Sequence, residues 1–223
     1  MSKAAVKQNV MKVLIVDDHQ SVLTGTIGII QQQYPEAEIW QAQTVENALE
    51  KLNSFQPDLA IVDLSLPLKH GDNAEPTKGI ELLKTLLTKY PTLNIVVQSA
   101  DPKTLVRLKP NIYEHEGGFT VVDKSATLQE LLTKIDWSLQ GLVFTPKEMR
   151  NGLEVKEEWL KLLELAFAEG LKDKEIANRM RVAERTVRHY WTKIQDALEV
   201  YPEEEKNIRI LTGIKAKEEG LID

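Results

Sequence analysis

The chain has 223 residues, 28 Lys+Arg against 34 Asp+Glu for a formal charge of −6, 42% hydrophobic residues and no cysteine. That length suits two ordinary domains, and a composition near the globular average supports buried cores and excludes a disordered or fibrous chain. Disulfides and thiolate zinc or iron–sulfur sites are excluded, and the four histidines (His19, His70, His115, His189) show no short ligand spacing, so a metal cage must be built from carboxylates.

In chain order, Met1-Ser2-Lys3-Ala4-Ala5-Val6-Lys7 lacks the apolar core and cleavage site of a signal peptide. No apolar run approaches the roughly 20 residues that cross a bilayer, so a cytoplasmic protein without membrane partners is expected. From Met11 to about Leu139, short β-branched runs alternate with helical periods, the pattern of βα units around a parallel sheet. The predicted strands are Lys12–Val16, Glu38–Gln41, Leu59–Val62, Asn94–Gln98 and Phe119–Val122. Between and after them fall helical stretches near Val22–Gln33, Val45–Asn53, Lys78–Lys89, Thr104–Glu114 and Leu128–Leu139. The expectation is a doubly wound, five-stranded parallel sheet. Val13-Leu14-Ile15-Val16 and Leu59-Ala60-Ile61-Val62 are continuous apolar runs, as strands covered on both faces require. Turn signals in Gln140–Pro146 and at Asn151-Gly152 end this rhythm. The predicted division is residues 1–139, a linker over 140–153, and an all-α domain over 154–223. Its helices are predicted at Glu154–Glu169, Asp173–Met180, Glu184–Leu198 and Asn207–Glu219.

Ligands of open α/β sheets bind beyond the carboxyl ends of the strands. Here those ends are polar: Asp17 and Asp18 after the first strand, Asp63 after the third, Ser99 after the fourth, Asp123-Lys124 after the fifth. Any one of these can be a helix cap. Together they place three carboxylates at one rim, which a hard cation with oxygen ligands, Mg²⁺, would neutralise. A cation there makes one carboxylate a usable phosphoryl acceptor.

Val16-Asp17-Asp18-His19, Val62-Asp63-Leu64-Ser65-Leu66-Pro67, Val97-Gln98-Ser99-Ala100 and Asp123-Lys124-Ser125 resemble, in order, the receiver domain of two-component response regulators. The resemblance implies a flavodoxin-like fold with Asp63 as phosphoacceptor. It also implies Mg²⁺ held by Asp17, Asp18, Asp63 and the backbone carbonyl of Ser65, and Ser99 and Lys124 meeting the phosphoryl oxygens. Two departures stand out. The loop Lys69–Thr77 is longer than the family's usual connection, and Val121 occupies the position three before the lysine where receivers usually carry an aromatic residue. Pro110 falls inside a predicted helix, where it would kink or end it. His19 is assigned to local packing or hydrogen bonding, and His70 and His115 to the surface.

In the second half, Asp173–Met180 and Glu184–Ile194 are helical segments joined by a tight turn, which fits a helix-turn-helix whose second member can enter a major groove. Val187, Trp191, Ile194 and Leu198 recur at helical spacing and should face a core, leaving Arg185, Arg188, His189 and Lys193 outside. From Leu171 to Gln195 there are seven basic residues and three acidic ones, a local excess of +4 on an acidic chain that suits phosphate contacts, although a solvated amphipathic helix can look the same. Gly170-Leu171-Lys172-Asp173-Lys174-Glu175-Ile176-Ala177 followed by Glu184-Arg185-Thr186-Val187-Arg188 resembles the LuxR-type helix-turn-helix of NarL/FixJ response regulators. That resemblance implies base or groove contacts from Arg185, Arg188 and His189, phosphate contacts from Thr186 and Lys193, and subunit pairing through the last helix. Met180-Arg181-Val182-Ala183 departs from the usual glycine turn and Ser/Thr cap.

The combined expectation is a transcriptional regulator and not an enzyme: a sensor histidine kinase phosphorylates Asp63 with Mg²⁺, which promotes a homodimer and binding to double-stranded DNA. Two alternatives stand beside it. One is an atypical receiver–helix-turn-helix interaction module with weak or no phosphorylation switching. The other is a Mg²⁺-dependent phosphohydrolase, against which stands Ser65 where such enzymes carry a second acid.

Overall fold

Val13–Val16 and Leu59–Val62 are almost wholly inaccessible to solvent, as strands covered on both faces must be. The computed structural model describes residues 10–150 and 154–223; the chain before Val10 and the Asn151-Gly152 turn lie outside the described residues. The described chain forms two compact units, one of the residues up to Ala100 with His115–Thr145, the other of Asp101–Glu114 with Pro146–Asp223. The connection over residues 101–114, placed by the sequence inside the α/β domain, is thus part of the second unit.

In the first unit, β1 (Lys12–Val16), β2 (Glu38–Ala42), β3 (Leu59–Asp63), β4 (Asn94–Ser99), β5 (Phe119–Asp123) and β6 (Val143–Phe144) form one sheet in the order β2-β1-β3-β4-β5-β6, all pairs parallel. The chain order reverses between β1 and β3, which opens the ligand crevice of such sheets there. Helices α1 (Gln20–Gln33) and α5 (Leu128–Leu139) cover one face. Leu23, Ile30, Leu131 and Ile135 pack on Val13, Ile15, Leu59, Ile61, Val96 and Val122. The Tyr34 hydroxyl, 2.5 Å from Asp136 Oδ1, ties α1 to α5. Helices α2 (Val45–Ser54) and α3 (Pro76–Lys89) pack against each other. Helix α3 approaches β3 so closely that a Cβ on Gly79 would lie 2.0 Å from the Leu64 carbonyl oxygen. Thr44 caps α2, and Thr127 with Glu130 forms a capping box on α5.

A sixth strand corrects the predicted count of five. Val143–Phe144 pairs with Phe119–Thr120 inside the stretch read as linker, held by Phe144 against Trp137, their ring centroids 5.1 Å apart. His115, expected at the surface, is buried with Nε2 2.7 Å from the Leu93 carbonyl oxygen. The long loop after β3 closes on itself through an antiparallel bridge between Leu66 and Glu75. It is fastened to the start of α2 by the Val45 and Glu46 amides, which donate to the Pro67 and Leu68 carbonyls, and by a Lys69–Glu46 ion pair.

In the second unit, a 3₁₀ segment (Pro102–Leu108) runs into α4 (Lys109–Glu114), where one helix over Thr104–Glu114 was expected. Pro110 lies just after this change of helix type, in the first turn of α4, where the missing N–H has no intrahelical partner to lose. After α6 (Lys147–Arg150) come α7 (Glu157–Phe167), α8 (Asp173–Met180), α9 (Glu184–Ala197) and α10 (Ile208–Glu218). Trp159, Leu162, Leu163, Leu165, Ile176, Val187, Trp191, Ile194, Leu198 and Ala216 share one buried cluster, which also takes in Val106 of the 3₁₀ segment.

Candidate functional site

Each strand that borders the crevice hands its last polar residue to one rim. Parallel register sets Asp63 opposite Gln98 and Ser99 opposite Asp123, so Ser99 and Lys124 extend just beyond Asp63. Asp17 follows β1 and is fixed by its amide, which donates to the Ala42 carbonyl, and by its carboxylate, which accepts from the His19 amide at 2.8 Å. Asp17, Asp63 and Ser99 are buried, whereas Asp18, Ser65 and Lys124 are half-buried.

Lys124 Nζ lies 2.6 Å from Asp63 Oδ2 and 3.1 Å from Asp17 Oδ2, so one ammonium faces two buried carboxylates. Burial pushes the Asp63 carboxyl above the ordinary carboxylate value; the Lys124 hydrogen bond and charge pull it down, Asp17 adds to the rise, and the Ser65 amide opposes it. Burial works against the Lys124 ammonium, but Asp63 and Asp17 outweigh it and raise its pKa.

Ligand atoms of Asp17, Asp18, His19 and Asp63 all lie within 4.8 Å of one another. Among the described residues, the buried Asp17 Oδ2 and Asp18 Oδ1 have no hydrogen bond; their ion-pair neighbours are Lys124 and His19. Carboxylate oxygens that converge without enough donors fit a hard divalent cation. His19, assigned from the sequence to local hydrogen bonding, bonds through its amide to Asp17 and places Nδ1 2.6 Å from Asp18 Oδ1. Gln43 was not anticipated. Its side-chain amide donates to the Asp18 carbonyl at 3.3 Å, and its only signal in the sequence is its place just after β2.

In the second unit, Val187, Trp191, Ile194 and Leu198 are buried as their spacing predicts. Arg185, Arg188, His189 and Lys193 are exposed on α9, and Thr186 is half-buried near its start. Arg188 is held by Glu184 one turn earlier, at 2.7 Å. Asp173 Oδ1 accepts from Trp191 Nε1 at 3.1 Å and from Arg209 at 2.6 Å, and the Arg209 guanidinium lies 4.3 Å from the Trp191 ring centre. That cluster fixes α9 to the start of α8 and to α10. The turn between α8 and α9 is strained: Arg181 adopts a left-handed φ of +56°, and Ala183 supplies no side-chain cap.

Residues 13–136 match the model of the response regulator receiver domain. That match spans more than half of the chain, and the protein belongs to the response regulator receiver family. Residues 125–202 also match the model of the ECF sigma factor. The chain is 26% identical over 196 residues to the DNA-binding transcriptional activator DevR/DosR of Mycobacterium tuberculosis, covering 82% of this chain and 86% of that protein. It is 27% identical over 202 residues to the transcriptional regulatory protein YdfI of Bacillus subtilis, covering 84% and 89%. Its fold is similar to that of RcsB from Salmonella enterica serovar Typhimurium bound to promoter rprA in the presence of phosphomimetic BeF3−. The TM-score there is 0.53 at 23% identity, over 92% of this chain and 98% of the other. Among the described residues no helix is long and apolar enough to cross a membrane.

Proposed function

We propose that this protein is a two-component transcriptional response regulator whose receiver is phosphorylated on Asp63 by a sensor histidine kinase. The observation that carries the reading is the placement of Asp63, buried at the end of β3 between the Asp17–Asp18 pair and the Lys124 ammonium. An Asp63 carboxylate oxygen attacks phosphorus; the bond from phosphorus to the kinase imidazole breaks, and the imidazole leaves with the electron pair. Lys124 shifts from pairing with Asp63 to pairing with the phosphoryl oxygens, and Ser99 donates its hydroxyl to them. Asp17, Asp18, Asp63 and the Ser65 carbonyl would hold Mg²⁺, which supplies charge neutralisation on the transferring group when bound.

The output is DNA binding by α9, with Arg185, Arg188 and His189 toward base edges and Thr186 and Lys193 toward phosphates. Helix α10 exposes Ile210 and Ile214 one turn apart, an apolar stripe suited to pairing two subunits on adjacent half-sites. The receiver is assigned to the chain through β6, the linker to the residues that follow up to 153 and the DNA-binding domain to residues 154–223. We assign no enzymatic turnover: the acyl phosphate is a state of the protein and not a released product. A receiver served by a kinase that uses cellular ATP works in the cytoplasm.

Two measurements test the reading together. Treatment with acetyl phosphate and Mg²⁺ should yield an acyl phosphate that is absent in Asp63→Asn, and the treated protein should bind duplex DNA more tightly, with an affinity that falls as salt rises. Acyl phosphate without any duplex binding at low salt would favour the interaction module instead.

A further inference from the structure

Arg209 stands in the first turn of α10, where a positive charge opposes the positive end of the helix dipole. The Asp173 carboxylate offsets that cost, since Arg209 donates to Asp173 Oδ1 at 2.6 Å. Asn207 caps α10 by accepting from the Arg209 and Ile210 amides at 2.9 and 3.3 Å, which fixes the start of the helix and the base of the Arg209 side chain. From there the guanidinium reaches over the Trp191 ring, 4.3 Å from its centre, and Trp191 Nε1 donates to the same Asp173 oxygen at 3.1 Å. Phe167 of α7 meets that ring in a T-shaped contact with centroids 6.0 Å apart. Gly213, one turn after Arg209, lets α10 come this close: a Cβ there would lie 2.6 Å from the Phe167 ring. Trp191, only 7% exposed, is thus a single α9 side chain held by α7, α8 and α10 at once.

We propose that Arg209 and Asp173 are positioning residues for sequence recognition: acting through Trp191, they fix the rotation of α9 about its own axis and so aim Arg185, Arg188 and His189. This rests on the reading of α9 as the helix that meets DNA and names what holds it in place. Arg188 lies three positions before Trp191, so the two are neighbours along the helix surface. Side chains stand about 5–6 Å from a helix axis, and a rotation of about 20° moves them by about 2 Å. That shift is enough to break a hydrogen bond of about 2.9 Å to a base edge. Lys193, a point charge on a flexible stem, keeps its attraction for phosphate through the same rotation. Loosening the Trp191 clamp therefore removes discrimination between sequences and leaves general affinity for DNA in place. The exposed Ile210 and Ile214 belong to the helix that carries Arg209, so the element proposed to pair subunits also orients the recognition helix.

Titrations of the full chain, treated with acetyl phosphate and Mg²⁺, test this with two probes: the duplex that the wild-type protein enriches from a randomised pool, and the unselected pool itself. Replacing both partners, Asp173→Ala with Arg209→Ala, leaves the net charge unchanged. That variant should lose about tenfold of its preference for the enriched duplex, the scale of one base contact, while its affinity for the pool and the salt dependence of that affinity stay as in the wild type. Arg209→Lys keeps the ion pair and a cation over the ring and should retain the preference. Trp191→Phe keeps a ring but loses the Nε1 donor and should give up part of it. Arg188→Ala should cost much less in the Asp173→Ala, Arg209→Ala background than in the wild type, because an arginine already aimed away has little left to lose. A role in folding alone would lower both affinities together and leave Arg188→Ala its full effect, and that result overturns the proposal. So does an unchanged preference in the paired variant or, if circular dichroism shows that variant unfolded, in Trp191→Phe. A wild-type protein that binds no duplex at low salt, or enriches none, removes the reading of α9 itself, and the clamp as its positioning device falls with it.

Discussion

Lys124 and Asp63, 61 positions apart in the chain, meet with Nζ 2.6 Å from Oδ2. The contact occupies the carboxylate that is to accept a phosphoryl group, so the same ammonium stabilises the resting site and must let go of it during transfer. Among the described residues Lys124 is also the only cationic group paired with Asp17 Oδ2, at 3.1 Å.

Lys124→Met therefore leaves two buried carboxylates facing each other. Removing one partner of a fully buried pair costs about 3–5 kcal/mol; with the Lys124 side chain 24% exposed, about 2 kcal/mol is expected here. Millimolar Mg²⁺ should restore most of it, because the cation binds the folded state alone and replaces the missing charge. Urea unfolding with and without Mg²⁺ measures both effects.

Asp63 is raised above the ordinary carboxylate value of 3.8, mainly by burial. The folded state thus favours its protonated form more than the unfolded chain does. Its contribution to stability is complete below 3.8 and is lost as pH rises through the raised value. Asp63→Asn removes that loss, so the variant should be more stable than the wild type at neutral pH, by a margin that shrinks on acidification toward 3.8. Urea midpoints taken across that range check it, in metal-free buffer.

On the DNA side, Arg188→Ala should weaken binding to a specific duplex by about 1–3 kcal/mol and relax discrimination at one base position. Lys193→Ala should weaken all sequences alike and reduce the salt slope by about 1. Glu184→Gln frees Arg188 from its partner at 2.7 Å and should tighten binding. Titrations at several salt concentrations separate the three outcomes.

The turn before α9 offers a stability gain. Arg181→Gly relieves a left-handed residue at φ +56° and should add about 1 kcal/mol. Ala183→Ser supplies the missing cap and should add about 0.5–2 kcal/mol. Thermal unfolding of each variant reads the gain.

Strands β1, β3, β4 and β5 were legible because each is a largely buried apolar run, whereas β2 is mostly half-buried or exposed; β2, β3, β4 and β5 each extend one residue further than predicted. Asp63, Ser99 and Asp123 are polar but still hold register with Gln98, Asp123 and Ser99. Strand β6 gave no periodic signal: it is two residues long, and its anchor is the packing of Phe144 on Trp137. His115 sits between two glutamates in sequence, which reads as surface, and its burial rests on the Leu93 and Leu87 carbonyls, 2.7 and 3.4 Å from its two ring nitrogens. The order of Asp17, Asp18, Asp63, Ser99 and Lys124 at strand ends foretold one rim, since parallel strands carry their carboxyl ends to the same side. The Arg107–Asp223 contact had no such signal, because it joins residues 116 positions apart through side chains that look like ordinary surface charges.

The most direct measurement is the oligomeric state and duplex affinity of the full chain, by sedimentation and titration, before and after acetyl phosphate with Mg²⁺, with Asp63→Asn alongside. The account predicts an acyl phosphate on Asp63 of the wild type, accompanied by a dimer and tighter DNA binding, and none of the three in the variant. Dimer formation or DNA binding that responds equally in Asp63→Asn would contradict it.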